Sequence, residues 1–268
     1  MNLRIGLYCL LGGLCFTVFA LGNGHFAWWL LAGVVLSAAF VPVARFGPRH
    51  PLAQFGAIAL TLVVVGVVCT YSEAILFYPE KMTHMLREIA GSAGSHLLVA
   101  AVLAVLAWKL KLTEPTPAIV ARRSTAVTIP MVLLSALLYM IYYVVFGGIT
   151  YTFLTKQYYP HAQEMMAHVG SWFWVYQFAR GTLMVLAMLP VIYSLRLPRW
   201  KAAMAVGTIL WLGGGCAALL APSTMMVTAQ RYDHILEIFT QNFSLGVSAV
   251  LLLRPRAAKT FMQSTTSA

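Results

Sequence analysis

Apolar runs long enough to cross a bilayer recur along the whole chain, separated by short polar segments. A membrane-spanning helix needs roughly 20 mostly apolar residues. By that rule eight spans are predicted, at about 4–22, 26–45, 53–78, 95–110, 126–149, 172–195, 202–221 and 235–253. The fourth is short, and only "GNGH" separates the first two, which predicts a tight hairpin. The first run, with its basic start and "VFA" at 18–20, also resembles a secretory signal. A second span follows it at once and the charge distribution works with it retained, so it is read as a membrane span.

Composition narrows the class. With 60% hydrophobic and 9% charged residues, the chain is no soluble globular domain, in which about 25% of residues are charged. It reads as an all-α polytopic membrane helix bundle of about eight transmembrane helices, with residues 1–268 forming one membrane domain. The formal charge of +11 does not imply nucleic acid, because the basic residues flank apolar runs in short clusters and form no basic face on a soluble module. Cys9, Cys15, Cys69 and Cys216 all lie within apolar runs without CxxC or Cys/His spacing and read as small buried hydrophobes.

Charge position then sets an orientation. With both termini cytoplasmic, the inside holds Arg4, Arg45, Arg49, Lys109, Lys111, Arg122, Arg123, Arg196, Arg199, Lys201, Arg254, Arg256 and Lys259, which is 13 of the 18 basic residues. Residues 113–123 become a cytoplasmic linker and 256–268 a short cytoplasmic tail. The acids lean the other way. Glu73, Glu80, Glu88, Glu164, Asp233 and Glu237 fall at the outer ends, with Glu114 alone inside, and His50 is the one inner histidine of seven. Carboxylates contribute little to topology, so this bias predicts a polar site opening to the outer, periplasmic face. Short loops suggest a bacterial inner membrane.

A shift of 147 residues aligns "TLVVVGVVC" (61–69) with "TILWLGGGC" (208–216), matching Thr61, Gly66 and Cys69 to Thr208, Gly213 and Cys216. It suggests two parallel halves, 1–112 and 124–255, with four spans each. Parallel repeats occur in carriers, where the substrate sits between the halves.

Three outer segments set polar residues at helical spacing: Glu80, His84 and Glu88; His161, Glu164 and His168; Asp233, Glu237 and Gln241. "YPEKMTHMLREIAG" (78–91) reads as an amphipathic helix at the interface. Solvated helix faces account for such rows. The chemical alternative is a divalent metal held by some of His84, Glu88, His161, Glu164, His168 and His234. The spacing does not match the HExxH pattern.

Residues within the spans say more. Arg180, in "WFWVYQFARGTLMVLAMLPVIYSL" (172–195), lies roughly 12 Å below the outer end of its helix at 1.5 Å per residue. An unpaired arginine at that depth costs several kcal/mol, so a partner is expected. Glu73 and Glu237 lie at similar depth, and Gln177, Asn242, Tyr139, Tyr142 and Tyr143 are the residues expected to complete the hydrogen bonding. "FGG" (146–148), "GGGC" (213–216) and Gly181 predict close helix packing.

No Walker loop, GxSxG, HExxH or EExxxR motif occurs, and no in-span histidine pair argues for haem. Three readings follow: a carrier or binding protein for a small anionic or amphipathic solute held by Arg180; a membrane-embedded enzyme acting on a lipid or lipid-linked substrate at the periplasmic face; and a non-catalytic membrane subunit that binds a partner protein. The near absence of ionisable residues from the inner half of the spans favours a site open to one side.

Overall fold

The computed structural model describes residues 3–19, 24–79, 82–114, 120–222 and 226–255. Ala20 of the "VFA" stretch, Glu80, residues 115–119 of the linker and the tail 256–268 lie outside the described residues. Those described form an all-α bundle: α1 (Leu3–Val18), α2 (Phe26–Phe46), α3 (Pro51–Phe77), α4 (Met82–Lys109), α5 (Thr125–Tyr158), α6 (Ala162–Val169), α7 (Trp172–Ser194), α8 (Arg199–Leu219) and α9 (Thr228–Leu253). Seven of these, α2 to α5 and α7 to α9, are long and apolar enough to span a membrane.

Several helices differ in length from the sequence expectation, α5 running on to Tyr158 and α9 starting already at Thr228. The first apolar run yields a 16-residue helix, about 24 Å long against a hydrocarbon core of about 30 Å. The fourth is longer than expected, because the row carrying His84 and Glu88 does not form a separate interfacial helix. It runs without a break into the apolar part of α4, a 28-residue helix. The change from mixed to apolar sequence contains no proline or αL residue that would stop a helix, and the glycines at 91 and 94 are tolerated in its interior.

The interior is apolar. Tyr8, Phe40, Ile58, Leu62, Leu103, Met184, Met188 and Ile209 are fully buried at its centre, whereas Leu97, Val105, Ile141, Val144, Leu183 and Leu186 face outward. A surface of this kind suits lipid, which is as apolar as the core itself. Helix neighbours fall into pairs: α1 with α2 and α4, α3 with α4, α5 with α7 and α9, α8 with α9, α2 with α8, and α3 with α7.

At the centre α3 crosses α8. Both helices widen to π geometry there, at Thr61–Val68 and Leu212–Cys216. A Cβ added at Gly66 would sit 2.6 Å from the Gly213 carbonyl oxygen, so only glycine lets the two backbones come this close. Just beyond, Gly214 and Gly215 leave helical geometry, the latter at φ 107°, a value accessible to glycine and costly for other residues.

One end of the bundle is stitched by arginines. Arg45 pairs with the Glu114 carboxylate, and Arg196 donates to the Glu114 carbonyl oxygen at 3.1 Å.

Candidate functional site

Near the opposite end, α3 and α7 bring Glu73 and Arg180 together. Arg180 Nη1 donates to Glu73 Oε1 at 2.7 Å, and the two side chains are 10% and 22% exposed. Gln177, one turn before Arg180 on α7, donates from Nε2 to the same oxygen at 3.3 Å. The guanidinium lies over two rings of α5, 5.7 Å from the centroid of Tyr139 and 5.9 Å from that of Tyr143. Tyr176 completes this side: its hydroxyl meets Ser72 Oγ at 2.8 Å and donates to the Cys69 carbonyl oxygen at 3.2 Å.

Three polar atoms at this locus are buried without a partner: Arg180 Nε, Gln177 Oε1 and the Tyr139 hydroxyl. Two are donors in need of an acceptor, or can be, and one is an acceptor. An unsatisfied buried polar group costs about 1–3 kcal/mol, so each calls for a water molecule or the polar end of a ligand.

Glu237 does not reach Arg180. Its oxygens are taken on its own helix, Oε2 by His234 Nδ1 at 3.1 Å and Oε1 by Gln241 Nε2 at 3.2 Å. A neutral imidazole donating from Nδ1 to the carboxylate presents Nε2 as an acceptor. The Tyr159 hydroxyl fills it at 2.6 Å, while Gln230 Nε2 donates to the Tyr159 oxygen at 3.4 Å. This Tyr159–His234–Glu237 chain was not foreseen, because it depends on α5 extending through 158 to carry Tyr159 over α9. Burial pushes the Tyr159 hydroxyl above its usual range; the Gln230 hydrogen bond works against this, and the Glu237 and Glu73 carboxylates add to it.

Two further residues lie elsewhere. Tyr142 turns away from Arg180 to meet Ser248 Oγ on α9 at 2.7 Å. One residue along a helix is about 100° of rotation, so Tyr139 and Tyr143 share the face toward Arg180 and Tyr142 does not. Asn242, in the π segment Phe239–Phe243, donates to the Leu210 carbonyl oxygen of α8 at 3.3 Å. It closes the α8–α9 contact.

The six residues considered for a metal share no locus. His84 and Glu88 are exposed on α4, His161 and Glu164 form a pair 72% and 81% exposed around α6, and His168 is exposed at the end of α6. His234 is committed to Tyr159 and Glu237. Among the described residues no three His, Cys, Asp or Glu side chains gather as a metal-ligand set.

Searches against family models, curated proteins and solved structures return no match to this chain. The class that the fold defines is a multi-pass helical membrane protein.

Proposed function

We propose that this protein is a carrier or binding protein for a small anionic or amphipathic solute, taken up at the end of the bundle where Arg180 and Glu73 meet. The observation that carries the reading is the set of three buried, unpartnered polar atoms around an intramembrane ion pair. A pair serving only to lock two helices would be expected to satisfy its neighbours. Here an Nε–H and a phenol point to an acceptor such as a carboxylate or phosphate oxygen, for which a planar guanidinium is well suited.

The arrangement of helices supports a carrier. Shifting by 147 residues carries α2 to 173–193, α3 to 198–224 and α4 to 229–256, within a few residues of α7, α8 and α9 apart from the shorter end of α8. The same pairing relates α1–α2 to α5–α7, α1–α4 to α5–α9, α3–α4 to α8–α9 and α2–α8 to α7–α3. The α3–α8 crossing then pairs Gly66 with its own counterpart, Gly213, as expected on a two-fold axis. Glu73 and Arg180 come from different halves, which is the position of the substrate site in repeat-built carriers. The positive-inside count orients this end outward, in an inner membrane with both termini cytoplasmic.

A second reading, a membrane-embedded enzyme at the same face, is favoured by one feature. A phenol hydrogen-bonded to a carboxylate-oriented imidazole is an arrangement suited to general acid–base chemistry.

The test is a thermal-shift panel of small carboxylates, phosphate esters and fatty acids on the purified protein, followed by counterflow in proteoliposomes for any compound that stabilises it. A ligand at about 100 times its dissociation constant adds about 2.7 kcal/mol. The expected outcome is at least one stabilising anion whose effect disappears in Arg180→Lys. A stabilising compound with no counterflow but with chemical turnover, lost in Tyr159→Phe, turns the assignment to the enzyme. A panel without effect on the wild-type protein rejects the solute site.

A further inference from the structure

Three arginines from separate stretches of chain lie around the end of α9, at the end of the bundle away from Arg180. Arg123 precedes α5, Arg199 opens α8 and Arg254 follows α9. Arg123 Nε donates to the Leu252 carbonyl oxygen at 2.8 Å, Arg199 Nη2 to that of Leu251, and Arg254 Nη2 to that of Leu197 at 3.1 Å. Two of these carbonyls belong to the last turn of α9, whose partial charge is about half an elementary charge. Arg123 and Arg199 both donate to it, and Arg254 follows it directly in the chain.

Arg254 is only 8% exposed, and its Nη1 is buried without a partner. Among the described residues no salt bridge includes Arg123 or Arg254. Burial and the nearby Arg199 charge both hold the Arg254 guanidinium below its usual range. The neighbouring Arg45 differs, since it pairs with the Glu114 carboxylate. The positive-inside rule accounts for basic residues at this end. It does not account for two of them capping the same helix end, or for a third beside them that is nearly enclosed with a spare donor.

We propose that Arg123, Arg199 and Arg254 form a binding site for a phosphate group at the basic end of the bundle, within reach of phospholipid headgroups. Guanidinium forks match phosphate oxygens bidentately, and basic pockets between transmembrane helices are a known form of anionic headgroup site. A phosphodiester would balance the Arg123 and Arg254 charges and take up the Arg254 Nη1 donor. The site is separate from Arg180 and does not depend on the solute reading.

The test uses the full-length protein in nanodiscs of phosphatidylcholine alone, of phosphatidylcholine with phosphatidylglycerol, and of phosphatidylcholine in buffer containing inorganic phosphate. Native mass spectrometry reads the retained adduct and thermal unfolding reads stability. Wild-type protein should retain phosphatidylglycerol, or phosphate, with a higher unfolding midpoint. Retention should fall about fivefold for each arginine replaced by glutamine, whereas Arg4→Gln, one charge lost outside the cluster, should leave it unchanged. A response confined to phosphatidylglycerol identifies a lipid headgroup as the source, and a response to both identifies a general phosphate site. If Arg254→Gln does not fold, Arg123→Gln, a half-buried side chain with one backbone hydrogen bond, carries the comparison. The proposal is overturned if neither anion is retained by the wild type, or if Arg4→Gln loses as much as the cluster variants.

Discussion

Arg180 is tolerable in the membrane because Glu73 is within 2.7 Å of it. Removing one partner of a buried pair leaves an uncompensated charge, at a cost of about 3–5 kcal/mol. Glu73→Gln and Arg180→Gln should therefore each lower the unfolding midpoint in detergent strongly, and the double variant should recover most of the loss because no charge is stranded. Equal losses in all three would mean that the pair contributes nothing as a pair. That an intramembrane arginine needs a carboxylate was legible from sequence, and so were the two candidates. Which carboxylate wins was not, because it turns on Glu237 being occupied by its own helical neighbours His234 and Gln241. Tyr159 offers a pH test. Its folded hydroxyl is raised above the unfolded value of about 10, so its contribution is complete below about pH 10 and is lost as pH rises through the folded value. Midpoints measured from pH 7 to 11 should be flat and then fall, and Tyr159→Phe should fall less steeply.

For the helices, hydropathy located the apolar runs but not where the chain stops being helical. Mixed polar sequence before a span looks like a loop when judged by composition, yet α4 begins at Met82 and carries its polar face into the same rod as its apolar one. The π segments were also hidden, since widening to i→i+5 bonding has no composition signature. The glycines were the readable clue. Gly66 was singled out by the weak repeat, and it faces the Gly213 carbonyl at the α3–α8 crossing. The contact is asymmetric, which gives a sharp prediction. At Gly66 an added Cβ meets backbone oxygen at 2.6 Å, at Gly213 the nearest atom is 3.8 Å away, and at Gly56 nothing lies within 4 Å. Gly66→Ala should lower stability by about 1–3 kcal/mol, the usual cost of overpacking, while Gly213→Ala and Gly56→Ala should be tolerated. Equal tolerance at all three, measured by thermal unfolding, would remove the close crossing.

On the scale of the whole molecule, the arginine-stitched end and the Arg180 end differ in kind. The former gathers cations over helix C-termini and the latter gathers carboxylates, tyrosines and histidine. If the positive-inside rule governs, the first faces the cytoplasm. Single cysteines in a background lacking the four native ones can test this at exposed positions: His84→Cys and His168→Cys near the Arg180 end, Arg49→Cys and Lys201→Cys at the other. An impermeant maleimide applied to intact cells should label positions 84 and 168 and spare 49 and 201. Spans α4 and α5 lie between 84 and 168, so these two must share a side whatever α1 does. Labelling of only one of them would show that one of α4 and α5 does not cross. The N-terminus is the discriminating case. α1 packs against α2 and α4 just as α5 packs against α7 and α9, which argues that it crosses, although its 16 described helical residues fall short of the apolar core by about 6 Å. A cysteine at Leu3 protected together with Arg49→Cys makes α1 a true span in a locally thinned bilayer. Labelling of Leu3→Cys together with His84→Cys makes it a re-entrant partner of α2.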